Sequence, residues 1–307
     1  MYDLIVAGEI NPDLILSGNV KPEFGQVEKL VESAALTIGS SSAIFACGAA
    51  RLGLKVAFIG ICGDDTFGRF MLDEMSKRSV DVSHVIIRKD GQTGLSVILN
   101  QSFDYAQGDR AILTHPGLIA ELEASDIADS LLAQARHLHV ASYFLQTKLR
   151  PDLPALFKRA HALGLSTSLD TNYDPSEKWM GFDELLAVTN VFLPNEAEAK
   201  SLAGAENVEE AASRLGSKVE ALAIKLGKAG VLGMFGSRKV QTESIPVKVI
   251  DTVGAGDSFD AGFIYGYLNK WELEKSLRLA CVCGALSTQQ AGGANGQPSL
   301  EEALKFL

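Results

Sequence analysis

The sequence predicts an α/β fold, a mostly parallel sheet covered by helices on both faces, and three observations carry that prediction. Short strand-like runs recur at Leu4 to Ala7, Val56 to Ile59, Leu138 to Val140, Ser166 to Leu169, Val188 to Leu193 and Ala221 to Lys225, most of them apolar without alternation, as strands buried on both faces are. Helix-length segments lie among them, at Ser40 to Leu52, Leu153 to Ala162 and Glu196 to Leu202, the order of repeated strand and helix crossovers. Polar or glycine-broken turns follow several runs, and ligands of open α/β sheets bind outside the carboxyl ends of the strands.

In chain order, Leu4 to Ala7 leads through Gly8 into a turn with Glu9, Asn11, Pro12 and Asp13. The stretch from Asn11 to Thr37 is too long for a bare connection. A second interruption, Val85 to Thr114, contains hairpin-like strands at Gly94 to Leu99 and Arg110 to Thr114. Both are expected to form a small sheet over the carboxyl ends of the main strands, a lid made by roughly residues 11–37 and 85–114 of a single domain spanning 1–307. Apolar faces on such a flap need a cover, and a second copy of the chain, giving a homodimer through the lid, is the expected one.

At 307 residues, 47% hydrophobic and 21% charged, the chain can build a large core. Its net charge of −10, from 38 acidic and 28 basic side chains, offers no general attraction for nucleic acid or anionic membrane. Cys47, Cys62, Cys281 and Cys283 lack the spacing of a zinc site and read as buried free thiols. No basic leader precedes the first strand and no apolar run is long enough to cross a membrane, so a cytoplasmic location is expected.

The most informative segment is Asp251-Thr252-Val253-Gly254-Ala255-Gly256-Asp257, ahead of a helical run from Asp260 to Leu268. Glycines admit tight geometry, and unpaired amides from Gly254 to Asp257 at a helix start attract an anion. Asp257 sits where its carboxylate could take a proton from an alcohol while those amides hold a phosphoryl group. A simple capped turn accounts for the same residues. The segment resembles the second signature of the ribokinase-like, or PfkB, carbohydrate kinase family, and an altered first signature lies near Ser40 to Gly53. The resemblance covers nearly the whole chain.

It implies a ribokinase-like three-layer α/β/α sandwich with a small β-sheet lid. It implies an ATP-dependent sugar kinase with Asp257 as general base and Gly254, Ala255 and Gly256 as the anion hole. Asp251 would lie near a monovalent cation such as K⁺. Asp13 matches the family's sugar-binding aspartate; Gly39, Ser40 and Ser41 could approach the sugar, while Ile44 stands where the family has Asn. Thr93, Phe103 and Tyr105 of the lid are further candidate contacts.

Asp170 and Asn172 belong to a stretch resembling one in acidic-sugar kinases, in which Asp174 replaces Arg. A carboxylate there argues for a neutral sugar, a ketose or pentose. Asn195 and Glu198, three apart on a helix, share a face and resemble the family's Asn-x-x-Glu motif, which implies water-mediated Mg²⁺. Nucleotide contacts are expected from Lys225, Gly227, Gly230, Thr252, Gly254 and Gly256, and from Cys283 and Asn295 in the C-terminal segment. A nucleoside kinase of the same fold and a non-catalytic sugar or nucleotide sensor are the competing readings. An oxidoreductase is disfavoured, because no Gly-x-Gly-x-x-Gly turn follows the first strand.

Overall fold

The structure, a computed structural model, describes residues 1–101 and 110–307. β1 (Leu4–Ala7) is buried throughout. The chain leaves it for β2 (Pro12–Ser17) and β3 (Ser33–Ile38), then returns through α1 (Ser41–Arg51) to β4 (Val56–Ile59). β5 (Ile61–Gly63), α2 (Thr66–Lys77), β6 (Val80–Asp81) and β7 (Ile86–Arg88) precede the second excursion, β8 (Leu95–Asn100) and β9 (Arg110–His115). After α3 (Asp129–Leu132) come β10 (His137–Val140), α4 (Leu153–Ala162), β11 (Ser166–Leu169), α5 (Asp183–Leu186) and β12 (Val191–Phe192). The last third contains α6 (Glu196–Ala203), α7 (Val208–Gly216), β13 (Ala221–Lys225), β14 (Val231–Phe235), β15 (Arg238–Thr242), α8 (Ala255–Leu268), α9 (Leu273–Ser287) and α10 (Leu300–Leu304).

Among the described residues the main sheet has nine strands in the order β15-β14-β13-β12-β11-β10-β1-β4-β6. Pairing is parallel from β6 to β13 and antiparallel for β13/β14 and β14/β15. Side chains of a strand alternate between faces, and β1 divides accordingly. Leu4 and Val6 join the core under α1, α8 and α9, while Ile5 and Ala7 join the one under α4 and α7. That makes three layers.

Polar residues enter the first of these cores in pairs. Ser168 Oγ lies 2.7 Å from both His137 Nε2 and His139 Nδ1, and Phe45 of α1 stacks on the His139 ring at 3.7 Å. Burial pushes the His137 pKa down to about 3, so the ring is held neutral.

The two excursions meet in a separate four-stranded sheet, order β3-β2-β8-β9. β2/β3 and β8/β9 are antiparallel, and β2 pairs with β8 in parallel, setting Asp13 opposite Ser96. The second excursion is narrower than the sequence suggests, because Ile86–Arg88 pairs in parallel with β5 instead of joining this sheet. The expected strand from Val188 shortens to Val191–Phe192, since Val188 and Thr189 donate backwards to Leu185 and Leu186. Helix α8 begins at Ala255, five residues before the expected Asp260, which places Asp257 inside its first turn.

α8 is held from behind by α9. A methyl added at Gly262 would lie 2.9 Å from Ala280 Cα and 3.1 Å from both Leu279 O and Cys283 Sγ, two of them backbone atoms that cannot rotate away. Gly262→Ala is therefore expected to lower stability by about 1–3 kcal/mol through overpacking. Urea denaturation should show a lower midpoint with an unchanged slope.

Candidate active site

The amino end of α8 is built for an anion. Gly254 caps it at φ 73°, and a side chain there would meet Gly293 O at 2.5 Å, so both the conformation and the close approach call for glycine. The first i→i−4 bond is donated by Ser258 to Gly254 O. The amides of Gly256 and Asp257 come before it in the helix and precede any intrahelical acceptor. The Ala255 amide reaches Thr252 O at a long 3.3 Å. Asp251 braces the turn by accepting from Val253 N at 3.0 Å and Gly292 N at 2.9 Å. Both oxygens of the expected cation ligand thus already hold backbone amides.

Asp257 is buried in the same turn. Loss of solvent, with Asp170 next in importance, pushes its carboxyl up to about 8; Lys225 and a hydrogen bond with the Ser41 hydroxyl oppose that rise. Beside it lies a lysine enclosed by acids. Lys225 Nζ donates to Asp170 Oδ2 at 3.0 Å and stands 3.1 and 3.0 Å from the two oxygens of Asp260. Burial alone would lower the lysine pKa, yet Asp170, Asp260 and Glu198 hold it above its ordinary value. Burial pushes Asp260 well up, in spite of Lys225. Carboxyl oxygens of Asp170, Asp257 and Asp260 all lie within 4.8 Å of one another, a grouping able to hold a cation, and the Lys225 ammonium already pairs with Asp170 and Asp260.

On the acceptor side, Asp13 is buried at the start of β2. Desolvation, reinforced by Asp251, raises its carboxyl to about 7 against the pull of Arg110. Gly39 allows that burial, since a methyl there would fall 2.2 Å from Asp13 Oδ1. Glu9, which the sequence reading passed over, organises the wall between Asp13 and Asp257. Its carboxylate accepts from Ser42 Oγ at 2.6 Å, Ser42 N at 3.2 Å and Ser142 Oγ at 2.8 Å, while its carbonyl accepts from Ser40 Oγ at 2.7 Å. Asn172 closes the ring, accepting from Ser142 N at 3.0 Å and donating to Ser41 Oγ at 2.8 Å. Ser40, Ser142 and Asn172 all adopt positive φ, at 66°, 50° and 54°. Three strained non-glycine residues at one wall are a cluster that functional sites accumulate.

The nucleotide-side expectations converge on one cavity of about 860 Å³. Lys225, Gly227, Gly230, Thr252 and Gly256 line it, with an apolar side that includes Ile245, Val247 and Phe259. Among the described residues Cys281 lines this cavity and Cys283 does not; Cys283 is turned toward Gly262 of α8. Asn295 stands apart, donating to Ala291 O and accepting from Arg78.

Other expected contacts also have different work. Thr93 is buried, accepting from Gly63 N at 2.9 Å and donating its amide to Asp65 at 2.7 Å, which fixes the turn before α2. Ile44 packs its side chain toward Gly293 behind the anion end and offers no polar group to a ligand. Asp174 accepts from Ser176, Lys178 and Trp179 of its own loop, so its charge is committed there. Phe103 and Tyr105 lie outside the described residues.

Asn195 and Glu198 form a reciprocal cap on α6. Glu198 N donates to Asn195 Oδ1 and Asn195 N to Glu198 Oε2, both at 2.9 Å. Burial, with Asp170 second, pushes the Glu198 carboxyl up to about 7. A buried carboxylate in surplus over nearby cations is a fit for Mg²⁺.

A carboxyl near 8 when folded and 3.8 when unfolded keeps a proton that unfolding would release, so its burial costs stability increasingly as pH rises from about 4 and levels off above about 8. Asp257→Asn removes that cost. The melting temperature of the variant should exceed that of the wild type at pH 8, with the difference shrinking toward pH 4; a lower melting temperature at pH 8 would contradict this account.

Comparison with known proteins agrees with this architecture. An uncharacterized sugar kinase of Archaeoglobus fulgidus is 33% identical over 253 residues, covering 82% of this chain and 98% of the relative. Ribokinase of Haemophilus influenzae is 28% identical over 315 residues, covering 99% and 98%. The crystal structure of a putative ribokinase II from E. coli in complex with ATP and Mg²⁺ superimposes with a TM-score of 0.86 at 22% identity, covering 100% of this chain and 99% of that one, and so shares the fold. The model of the pfkB family carbohydrate kinases matches residues 1–300, and the chain belongs to that family of ATP-dependent sugar kinases.

Proposed function

We propose that the chain transfers the γ-phosphoryl group of ATP to a primary hydroxyl of a small neutral sugar, a ketose or a pentose, with Asp257 as general base. The observation that carries this reading is a buried carboxylate with a raised pKa on the same helical turn as amides that lack intrahelical acceptors. The acceptor oxygen would lie within reach of Asp257, which takes its proton as the bond to phosphorus forms. The amides of Gly256 and Asp257, at the positive end of α8, would receive the charge gathering on the phosphoryl oxygens. The apolar part of the cavity suits a nucleobase, and Lys225 and Gly227 the phosphate chain. Asn195 and Glu198 would hold Mg²⁺ through water, and the ion, when bound, neutralises phosphate charge.

Neutrality of the sugar rests on the wall it would face. The carboxyl oxygens of Asp13 and Asp257 can accept hydrogen bonds from hydroxyls and disfavour a further carboxylate beside them, while Glu9 is taken up by Ser42 and Ser142. That argument replaces the one from Asp174, whose carboxylate is held by its own loop. The small sheet serves as the lid. One register row crosses it as Leu36, Leu14, Val97 and Leu113, with Leu36 and Leu113 exposed at 37% and 62% on the two edge strands, and we assign this face to a homodimer contact. Asp251 is the residue nearest a K⁺ site in this reading. Four buried free thiols suit a reducing, cytoplasmic setting. No helix among the described residues is long and apolar enough to cross a membrane.

Steady-state assays with ATP–Mg²⁺ and a panel of fructose, ribose, other neutral sugars, acidic sugars and adenosine test the reading directly. A neutral sugar should give the highest kcat/KM; preferential turnover of adenosine or of an acidic sugar would reject the assignment. Asp257→Asn should lower kcat by about 10²–10⁴-fold, with far less effect on ATP affinity. Because the base must be ionised, kcat/KM of the wild type should rise with pH to a plateau above about 8. For the dimer, Leu113→Glu is expected to shift the sedimentation coefficient from dimer to monomer.

A further inference from the structure

Asp260 is absent from the chemistry described so far, yet it is among the most deeply buried charged residues of the chain, with 1% of its surface exposed. It lies one helical turn beyond Asp257, on the same face of α8. It is not among the residues that line the nucleotide-side cavity, and its polar partners are Lys225 Nζ and the neighbouring Asp170. An acid in that position costs folding free energy unless something is gained elsewhere.

The gain lies in where the ammonium is held. Lys225 is long and flexible, and a free lysine would sample many rotamers before meeting a phosphate. Here two acidic side chains hold Nζ from two elements, Asp170 just past the end of β11 and Asp260 from α8, at 3.0–3.1 Å. A methyl added to Gly256 would lie 3.6 Å from that nitrogen, so the ammonium rests beside the first turn of α8, where the anion-binding amides are. Lys225 also lines the cavity, which opens its charge to a ligand. A cation already placed needs no reorganisation when charge moves onto the phosphoryl group.

We propose that Asp260 is a positioning residue for phosphoryl transfer, holding Lys225, together with Asp170, so that its ammonium contacts the transferring group beside the Gly256 amide. This rests on the kinase reading above. In the step, the bond between the γ-phosphorus and its bridging oxygen breaks with both electrons staying on ADP, while the acceptor oxygen bonds to phosphorus and its proton passes to Asp257. Lys225 keeps its protons throughout and Asp260 acts through it alone.

A mutant cycle tests this. Lys225→Met should lower kcat by about 10²–10³-fold. Asp260→Asn, nearly isosteric, should lower kcat by about tenfold or more with the sugar KM changed less than about twofold and no fall in melting temperature. The double variant should be no slower than Lys225→Met, because Asp260 has nothing left to position. Full kcat in Asp260→Asn, or losses that multiply in the double variant, would overturn the proposal. So would a kcat loss matched by a fall in melting temperature and reversed on cooling. Calorimetric affinities for ATP and AMP separate this proposal from the kinase reading. The preference for ATP over AMP should drop alike in Lys225→Met and Asp260→Asn, and an unchanged preference sinks the positioning role. A wild type that phosphorylates no sugar sinks the kinase reading instead, whatever the affinity ratio.

Discussion

Parallel strands all end on the same edge of their sheet, and in this chain that edge is where the site is assembled. β1 delivers Glu9, β11 delivers Asp170, β13 delivers Lys225, and the amino end of α8 arrives over them. None of these residues is near another in sequence, apart from those on α8. Their meeting depends on a register in which Ile5 pairs with Leu138 and Val140 with Leu169, so a slip in the ladder would scatter the charges. The packing of α9 behind α8 sets the remaining coordinate, the height of the anion-binding turn over the strand ends.

Charge crowding follows from that convergence. Asp170, Asp257, Asp260 and Glu198 surround one ammonium, so the interior of the site carries more potential negative charge than positive. Folding tolerates this because protons remain on carboxyls that would lose them in water. The arrangement is poor for stability and suited to chemistry, since a base near neutrality, a fixed cation and unpaired amides are what phosphoryl transfer demands.

Much of this was legible from local sequence, and the reason differs by residue. The strands and main helices could be read because burial on both faces writes itself into continuous apolar runs. Asp257 could be read because glycines at two fixed offsets and a following helix define an anion end within seven residues. Gly227, Gly230 and Thr252 lie in turns directly after or before such elements, and they line the expected cavity. Glu9, Ser142 and Asp260 escaped notice, since their roles come from partners 133 or 35 positions away. Thr93 drew attention as a lid residue, although the Gly63 amide and Asp65 carboxylate claim it. Cys283 lies two residues past Cys281, which lines the cavity, and so on the far side of α9, turned toward Gly262 where α9 crosses α8.

Raised carboxyls have one further consequence. Near neutral pH the site carries protons on Asp13 and Glu198, whose carboxyls burial raises to about 7, and on Asp257, raised to about 8. Ligand binding changes the solvent and charge around all three, so the complex and the free protein differ in proton count. Protons exchanged in this way are taken up or released by the buffer, whose ionisation heat then becomes part of any measured binding enthalpy. The site is thus a small buffer in its own right, and its affinity for a ligand is inseparable from the pH at which the ligand binds.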